Sequence, residues 1–297
     1  MSLIHVTGNT WYIDGKQCIP LYKTSSSTCV LLDTGELSDR TLIEETLSEH
    51  HLQLQGILIT HAHTDHAGNT KYLKEKYHVP IAMSLGESGI SSSPQTLRAY
   101  FHMFSPRQLL SYEAFREMIV IPDRIIMPGE TVIHFCGTEF KILPTPGHSP
   151  AHISIVTKDH VLYLGDALLT SDALKASKLP YFFSIQDTLD TMSQLRQYTQ
   201  CQYLTAHKGL CTDPITTIDK NIEMLQTVSK QILDCVENSM TFDEIYKSVC
   251  EKFYLLSENE FKCKRYERII QTYVNYLTDT DQIESFYHRG VTYYKKF

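Results

Sequence analysis

The sequence predicts an α/β protein, with a large mixed domain over residues 1–214 and a mostly helical segment over 215–297. Short β-rich apolar runs recur through the first two thirds of the chain, several of them ending in a lone histidine or aspartate. Helical patterns alternate with those runs, as in a domain of layered sheets and helices. From Thr216 onward the helical pattern takes over until a final alternating stretch. At 297 residues and 42% hydrophobic, the chain can bury a large core and still carry an appendage.

Residues 10–13 and 28–32 read as short strands, with Asp14-Gly15 marking a turn between the first pair of strands. The second run ends in Asp33-Thr34-Gly35, and a helix is expected over 41–49. Residues 56–60 (GILIT) form an apolar run of the kind that makes a strand buried on both faces. A helix then starts near Asn69, with Tyr72, Leu73 and Tyr77 on its inner face. Residues 84–125 read as a helical insertion over one end of the sheet, with helices at 95–104 and 106–118. An ordinary packing layer is the competing explanation. Strand-like runs resume at 131–135, 139–143, 152–157 and 160–164, a meander with tight turns at Gly137 and Asp159. A helix over 189–198 precedes a strand at 203–205. The last stretch, 282–297, alternates like a β-hairpin about Arg289-Gly290, so the C-terminal segment reads as winged-helix-like.

Composition narrows the function. Lys and Arg total 27 against 34 Asp and Glu, a net charge of -7, so no global basic field attracts phosphate backbones. Nucleic acid is therefore a lesser expectation, with a local basic groove its remaining route. The eight cysteines are scattered without a C-x-x-C pair, and buried free thiols are the expectation. The opening MSLIHVTGNTWYIDGK lacks a charged lead before an apolar run, and no stretch approaches the ~18 apolar residues of a membrane span. A soluble cytoplasmic protein without a membrane partner is expected; nothing in the pattern specifies an oligomeric state.

The densest chemistry lies directly after the 56–60 run, at His61, His63, Asp65 and His66. Three imidazoles and a carboxylate within six residues are costly to bury without partners. A metal ion supplies that partner, and imidazole with carboxylate suits Zn²⁺, with Fe or Mn as other occupants. His148 in Pro146-Gly147-His148, Asp166 in Leu164-Gly165-Asp166 and His207 in Thr205-Ala206-His207 each follow another β run. A sheet can bring such strand ends to one rim.

The stretch T-H-A-H-T-D-H-A-G resembles the H-x-H-x-D-H signature of the metallo-β-lactamase superfamily. Asp33, His148 in P-G-H-S, Asp166 in L-G-D and His207 in A-H match that family's remaining motifs in order, from about residue 3 to 212. The resemblance implies a four-layer αββα sandwich with two divalent metals at one edge of its sheets. It implies His61, His63 and His148 around one ion, Asp65, His66 and His207 around the other, and Asp166 between them. Asp33 would support the ligand loops from behind. The A-H-K-G and G-H-S-P-A-H stretches look more like the glyoxalase II-like branch, or its lactonase relatives, than the β-lactam-degrading enzymes.

The implied activity is hydrolysis of an ester, thioester or lactone of a small molecule. Water between two cations loses a proton near neutral pH, and Asp65 would act as the catalytic carboxylate that orients it and shuttles its proton. A phosphodiesterase or ribonuclease using the same metals is the alternative, and a diiron redox or non-catalytic binding protein a second one. His152 is read as a hydrogen-bonded strand histidine and His134 as structural. The set Tyr100, Phe101, Met103, Phe104, Tyr112, Phe115 and Met118 has helical spacing that fits plain core more readily than a pocket. Lys262, Lys264, Arg265 and Arg268, interleaved with glutamates, read as a charged solvent-facing helix.

Overall fold

Alternation of side chains along the strands explains why so many of them read as continuous apolar runs. In a computed structural model that describes residues 3–297, the central strands of both main sheets are buried on both faces. The chain begins with β1 (Leu3–Thr7), β2 (Thr10–Asp14), β3 (Cys18–Lys23) and β4 (Thr28–Leu32), then α1 (Arg40–Glu49), β5 (Gln53–Ile59), α2 (Thr70–Tyr77) and β6 (Ile81–Ser84). Four short helices follow: α3 (Leu85–Ser91), α4 (Pro94–Tyr100), α5 (Pro106–Ser111) and α6 (Glu113–Glu117). With β7 (Arg124–Ile126) they complete a seven-stranded sheet in sequence order β1 to β7.

The second half contributes β8 (Val132–Phe135), β9 (Thr138–Pro144), β10 (Ile153–Val156), β11 (Val161–Tyr163), α7 (Ser171–Ala176) and α8 (Ile185–Leu195). Then come β12 (Gln202–Thr205) and β13 (Gly209–Cys211), which close a six-stranded sheet of order β13-β12-β11-β10-β9-β8. The chain ends with α9 (Pro214–Asp234), α10 (Phe242–Lys252), α11 (Glu260–Asp279) and the hairpin β14 (Ile283–His288) and β15 (Val291–Lys296). Arg289 and Gly290 at its tip both take positive φ, 49° and 79°, as a two-residue turn of matching twist requires.

Period-two alternation sorts each strand between layers. Along β5, Ile57 and Ile59 pack outward with Ile43 of α1 and Leu73 of α2, while Leu58 faces the second sheet. Along β11, Val161 and Tyr163 face the first sheet and Leu162 packs outward with Met192 of α8 and Ile218 of α9. The result is the αββα order of layers. A separate core unites α9, α10 and α11 with Leu179, Phe182 and Ile185, and the hairpin closes it in a winged-helix-like arrangement.

Several local expectations change. The expected helices at 95–104 and 106–118 are shorter. Phe101 ends α4, and Tyr112, in extended conformation, separates α5 from α6. Ser93-Pro94 and Ser105-Pro106 start these helices with capping boxes and a proline in the first turn. Strands β1, β3, β6, β7 and β13 and helices α3 and α7 are not among the elements the sequence predicts.

Candidate metal centre

The edge where the two sheets meet is set by backbone contacts between strand ends. The Ile153 N–H at the start of β10 donates to the Thr60 carbonyl beyond β5 (3.1 Å), tying one sheet to the other. Asp33, just past β4, takes φ 68° and turns its carboxylate under the same point. It is fully used: Oδ1 accepts from Thr60 N (2.7 Å), and Oδ2 accepts from Thr60 Oγ1 (2.7 Å), His66 Nδ1 (2.8 Å) and Tyr163 OH (2.7 Å). With the Thr60 proton spent on Asp33, Thr60 Oγ1 accepts from His61 Nδ1 at 3.0 Å. Both imidazoles therefore turn Nε2 toward the site, an orientation set from behind as metal sites require.

Two glycines let the other loops approach. Gly165 takes φ +49°, and a Cβ there would lie 2.7 Å from His152 Nε2 and 2.9 Å from Thr60 Oγ1. Gly147 takes φ +130°, with Thr188 N only 2.6 Å from where a Cβ would stand. Each immediately precedes a candidate ligand, Asp166 and His148.

All seven candidates converge, in two groups. His61, His63 and His148 form one, and Asp65, His66, Asp166 and His207 the other; within each, one potential ligand atom per residue lies within 4.8 Å of the rest. His61 Nε2 and His63 Nδ1 are 3.0 Å apart, and His63 Nδ1 and His148 Nε2 2.9 Å. Asp166 joins the groups. Its Oδ2 lies 3.3 Å from His148 Nε2, while its Oδ1 lies 3.3 Å from His66 Nε2 and 3.4 Å from His207 Nε2. Asp65, its side chain 41% exposed, stands at the cavity floor with its Oδ2 3.9 Å from His66 Nε2.

The electrostatics of the two groups differ. Burial is the largest influence on His61, His63 and His148, and neighbouring imidazoles add to it, so all three are held neutral below the usual histidine range. Burial also opposes charge on His66, but Asp166, Asp65 and Asp33 outweigh it and hold the imidazole well above that range. His207 is raised by its contact with Asp166. Asp166, despite a burial penalty, is held well below the carboxylate range by His66 and His148.

The donor set fits a cation. Five buried side-chain N or O atoms lack a hydrogen-bond partner among the described residues, and two of them are His66 Nε2 and Asp166 Oδ1. The two attract each other as charges at 3.3 Å but make no aligned hydrogen bond, which is costly for buried polar atoms, and a divalent ion would satisfy both.

Further residues shape the site without having been found in the sequence. Glu87, fully buried on α3, accepts from Ala62 N (2.8 Å), Ser149 Oγ (2.7 Å) and Ala151 N (2.9 Å). One carboxylate thus clamps the loop of His61 and His63 to the loop of His148. Burial pushes Glu87 above the usual carboxylate range, and the three donors pull against it. The only signal was a lone acid amid small and apolar residues. His152 is hydrogen-bonded as expected: Nδ1 lies 2.8 Å from Thr145 Oγ1, and Nε2 accepts from Asp166 N at 3.2 Å. It orients the Asp166 turn.

Above the metal groups lies a cavity of about 460 Å³. Phe101, Met103, Phe104 and Phe115 of the expected insertion line it, although Met118 is plain core. The Tyr100 hydroxyl is 3.0 Å from His63 Nε2 and 3.1 Å from the Tyr181 hydroxyl. The charged helix departs from its expected role. Residues 261, 264, 265 and 268 form one face of α11, and Phe261, Arg265 and Arg268 of that face line the cavity. Lys264 Nζ donates to the Met103 carbonyl (2.6 Å), so this face packs on the insertion.

Comparison with known proteins agrees with this geometry. A sequence profile of the metallo-beta-lactamase superfamily matches residues 9–200. A hydroxyacylglutathione hydrolase of Halorhodospira halophila is 28% identical over 144 residues, 48% of this chain and 43% of that protein, so the match spans less than half of that relative's length. A probable metallo-hydrolase of Bacillus subtilis, YqgX, is 25% identical over 205 residues, covering 66% of this chain and 87% of its own. In structure, a beta-lactamase domain protein from Burkholderia ambifaria superposes with a TM-score of 0.73 at 17% identity, covering 99% of this chain and 94% of the other. With fold, strand-end histidines and aspartates and sequence profile in agreement, the chain belongs to the metallo-β-lactamase superfamily, on its glyoxalase II-like side.

Proposed function

We propose that the protein is a binuclear metal-dependent hydrolase that cleaves an ester, thioester or lactone bond of a small acyl substrate. The observation that carries this reading is Asp166, whose two carboxylate oxygens face separate groups of imidazoles at 3.3 to 3.4 Å. His61, His63 and His148 would hold one ion, Asp65, His66 and His207 the other, and Asp166 would bridge them. A mixed nitrogen and oxygen donor set suits Zn²⁺ first, with Fe or Mn as other occupants. A divalent pair supplies, when bound, the Lewis acidity that lowers the pKa of water and polarises a carbonyl oxygen.

The chain's own groups do the rest. Asp65 is the half-exposed carboxylate on the cavity floor, placed to accept a proton from the attacking water and pass it to the leaving group. Asp33 and Glu87 hold the ligand loops, so little reorganisation accompanies the reaction. The rings of Phe101, Phe104 and Phe115 exclude water above the floor and cover an apolar acyl group. Residues 1–214 form the catalytic domain in this reading, and 215–297 a C-terminal domain that roofs it. Among the described residues no helix is long and apolar enough to cross a membrane. All eight cysteines are free, which suits the reducing cytoplasm.

The test pairs metal analysis of the purified chain with a hydrolysis panel of thioesters, lactones, β-lactams and phosphodiesters. Metal-dependent turnover of acyl substrates is expected. Turnover of phosphodiesters alone would replace this reading with the phosphodiesterase one.

A further inference from the structure

The roof of the cavity holds a cation stacked on aromatic rings but without a carboxylate or carbonyl acceptor. Arg268 lies on α11 with its guanidinium 4.2 Å from the Tyr100 ring centre, 5.1 Å from that of Tyr181 and 5.4 Å from that of Phe101. Its Nη1 is buried without a hydrogen-bond partner. Four other arginines of the chain are matched to acceptors. Arg40, Arg124 and Arg196 pair with carboxylates, and Arg116 donates to two backbone carbonyls. Among the described residues Arg268 has no such acceptor.

Aromatic faces satisfy a guanidinium from above and below, but its in-plane N–H groups still need acceptors. Docking α11 onto the insertion would be served better by an apolar side chain, which carries no desolvation penalty. Arg268 opens instead into the cavity that also contains His63, Asp65, His148 and Asp166. Arg265, one turn earlier, lines that cavity as well as a second opening of about 610 Å³ that shares His148, Asp166 and Tyr181. The two arginines therefore stand over the reacting centre from one helix face, beside walls made by Phe101, Met103 and Phe104.

We propose that Arg268, assisted by Arg265 at the mouth, anchors an anionic group of the substrate, so that the enzyme selects small acyl compounds carrying a carboxylate or phosphate apart from the scissile bond. This inference rests on the hydrolase reading and adds the substrate's charge to it. A planar guanidinium with a free edge meets a carboxylate or phosphate through paired hydrogen bonds. The cavity volume of about 460 Å³ suits a small molecule. The aromatic wall takes its alkyl part, and the anion fixes which carbonyl reaches the floor.

The test uses the metal-loaded full chain and thioesters of one chain length that end in a carboxylate, a phosphate or a neutral amide. The kcat/KM for an anionic substrate should exceed that for the amide by about 10- to 100-fold, mainly through KM. In Arg268→Met the ratio should fall to near one, and Arg268→Lys should restore part of it. The favoured anion, carboxylate or phosphate, identifies the source. Calorimetric titration with glutarate and its monoamide gives a readout apart from turnover. Both ligands offer one carboxylate to the metals, so about 10-fold or more tighter binding of glutarate, lost in Arg268→Met, reports the second anion. Thermal unfolding of each variant identifies any that misfold.

Equal turnover and equal binding of acid and amide by the wild type would overturn the inference while leaving the hydrolase reading intact. Failure to hydrolyse any thioester, ester or lactone would sink the hydrolase reading, and the titration would still decide the anion subsite. Arg268-dependent binding of single-stranded RNA, with no preference among the acyl compounds, would contradict the small-substrate assignment.

Discussion

Four strand ends supply the floor of the cavity, whereas its roof comes from the short helices α4 to α6 and from one face of α11. On the floor each ligand-type side chain is held by named polar partners. Asp33 orients His61 and His66, Glu87 clamps two loops, and His152 receives the Asp166 N–H. On the roof, rings pack on rings: Phe101 and Phe115 tilted at 4.9 Å, Phe104 and Phe261 stacked at 5.3 Å. Polar partners are directional and cannot be exchanged, while apolar contacts tolerate substitution of similar volume. Floor changes should therefore decide whether the enzyme reacts, and roof changes what it accepts.

The contrast can be broken first at Asp166. Asp166→Ala removes the group that both halves of the floor share, and kcat should fall by about 10³-fold or more. Circular dichroism should show the fold retained, because Asp166 sits at a loop and not in either core. Activity within tenfold of wild type would contradict the account.

Within the floor the two groups should separate by pH. His61, His63 and His148 are neutral before any ion arrives, whereas His66 and His207 are raised and must release protons. As pH falls below neutral, affinity at the His66 group should drop by up to about 100-fold per unit, and at the three-histidine group far less. Competition with a metal indicator across pH checks this, and equal slopes would break the distinction. The sign for the metal-free fold also follows. His66 stabilises it fully below about pH 6.5, the unfolded value, and that contribution is lost as pH rises through the higher folded pKa. Asp166 stabilises it above about pH 4 and is lost as pH falls through its lower folded pKa.

Glu87→Gln tests the clamp. A glutamine offers one acceptor where three donors converge, so its amide nitrogen would face an N–H. Stability should fall by about 1–3 kcal/mol. Metal affinity should fall by about 10- to 100-fold, as for other groups that orient ligands from behind. Unchanged affinity in a metal titration would reduce Glu87 to a packing role. The smallest effect belongs to the roof. Phe261→Ala should cost about 1–3 kcal/mol in denaturant unfolding, less than a fully buried ring, and should raise KM a few-fold with a smaller change in kcat.

Floor and roof also differ in how far the sequence exposes them. The seven floor residues are legible because metal chemistry restricts residue type and because each lies in a loop that follows a β run, whereas the four-layer order comes from the resemblance of their motifs to the metallo-β-lactamase superfamily. His61 to His66 even fall within one loop. Strand β3 escaped notice because Pro20 interrupts it, although Pro20 lies among buried neighbours. Glu87 belongs to no motif, and a single carboxylate declares a role only when its three donors are seen. The 261, 264, 265, 268 stripe was present in the sequence, but the glutamates between its members made the whole helix look solvent-facing. Which surface a helix face meets depends on tertiary packing, here on Phe261 seated among Phe104, Tyr112 and Phe115.

The measurement closest to the core of this account is the metal content of the full chain, wild type beside Asp166→Ala, by inductively coupled plasma mass spectrometry after gel filtration. Two ions per wild-type chain are predicted, with loss of at least one when the shared carboxylate is removed. A wild-type chain that retains no ion, or a variant that retains both, would contradict it.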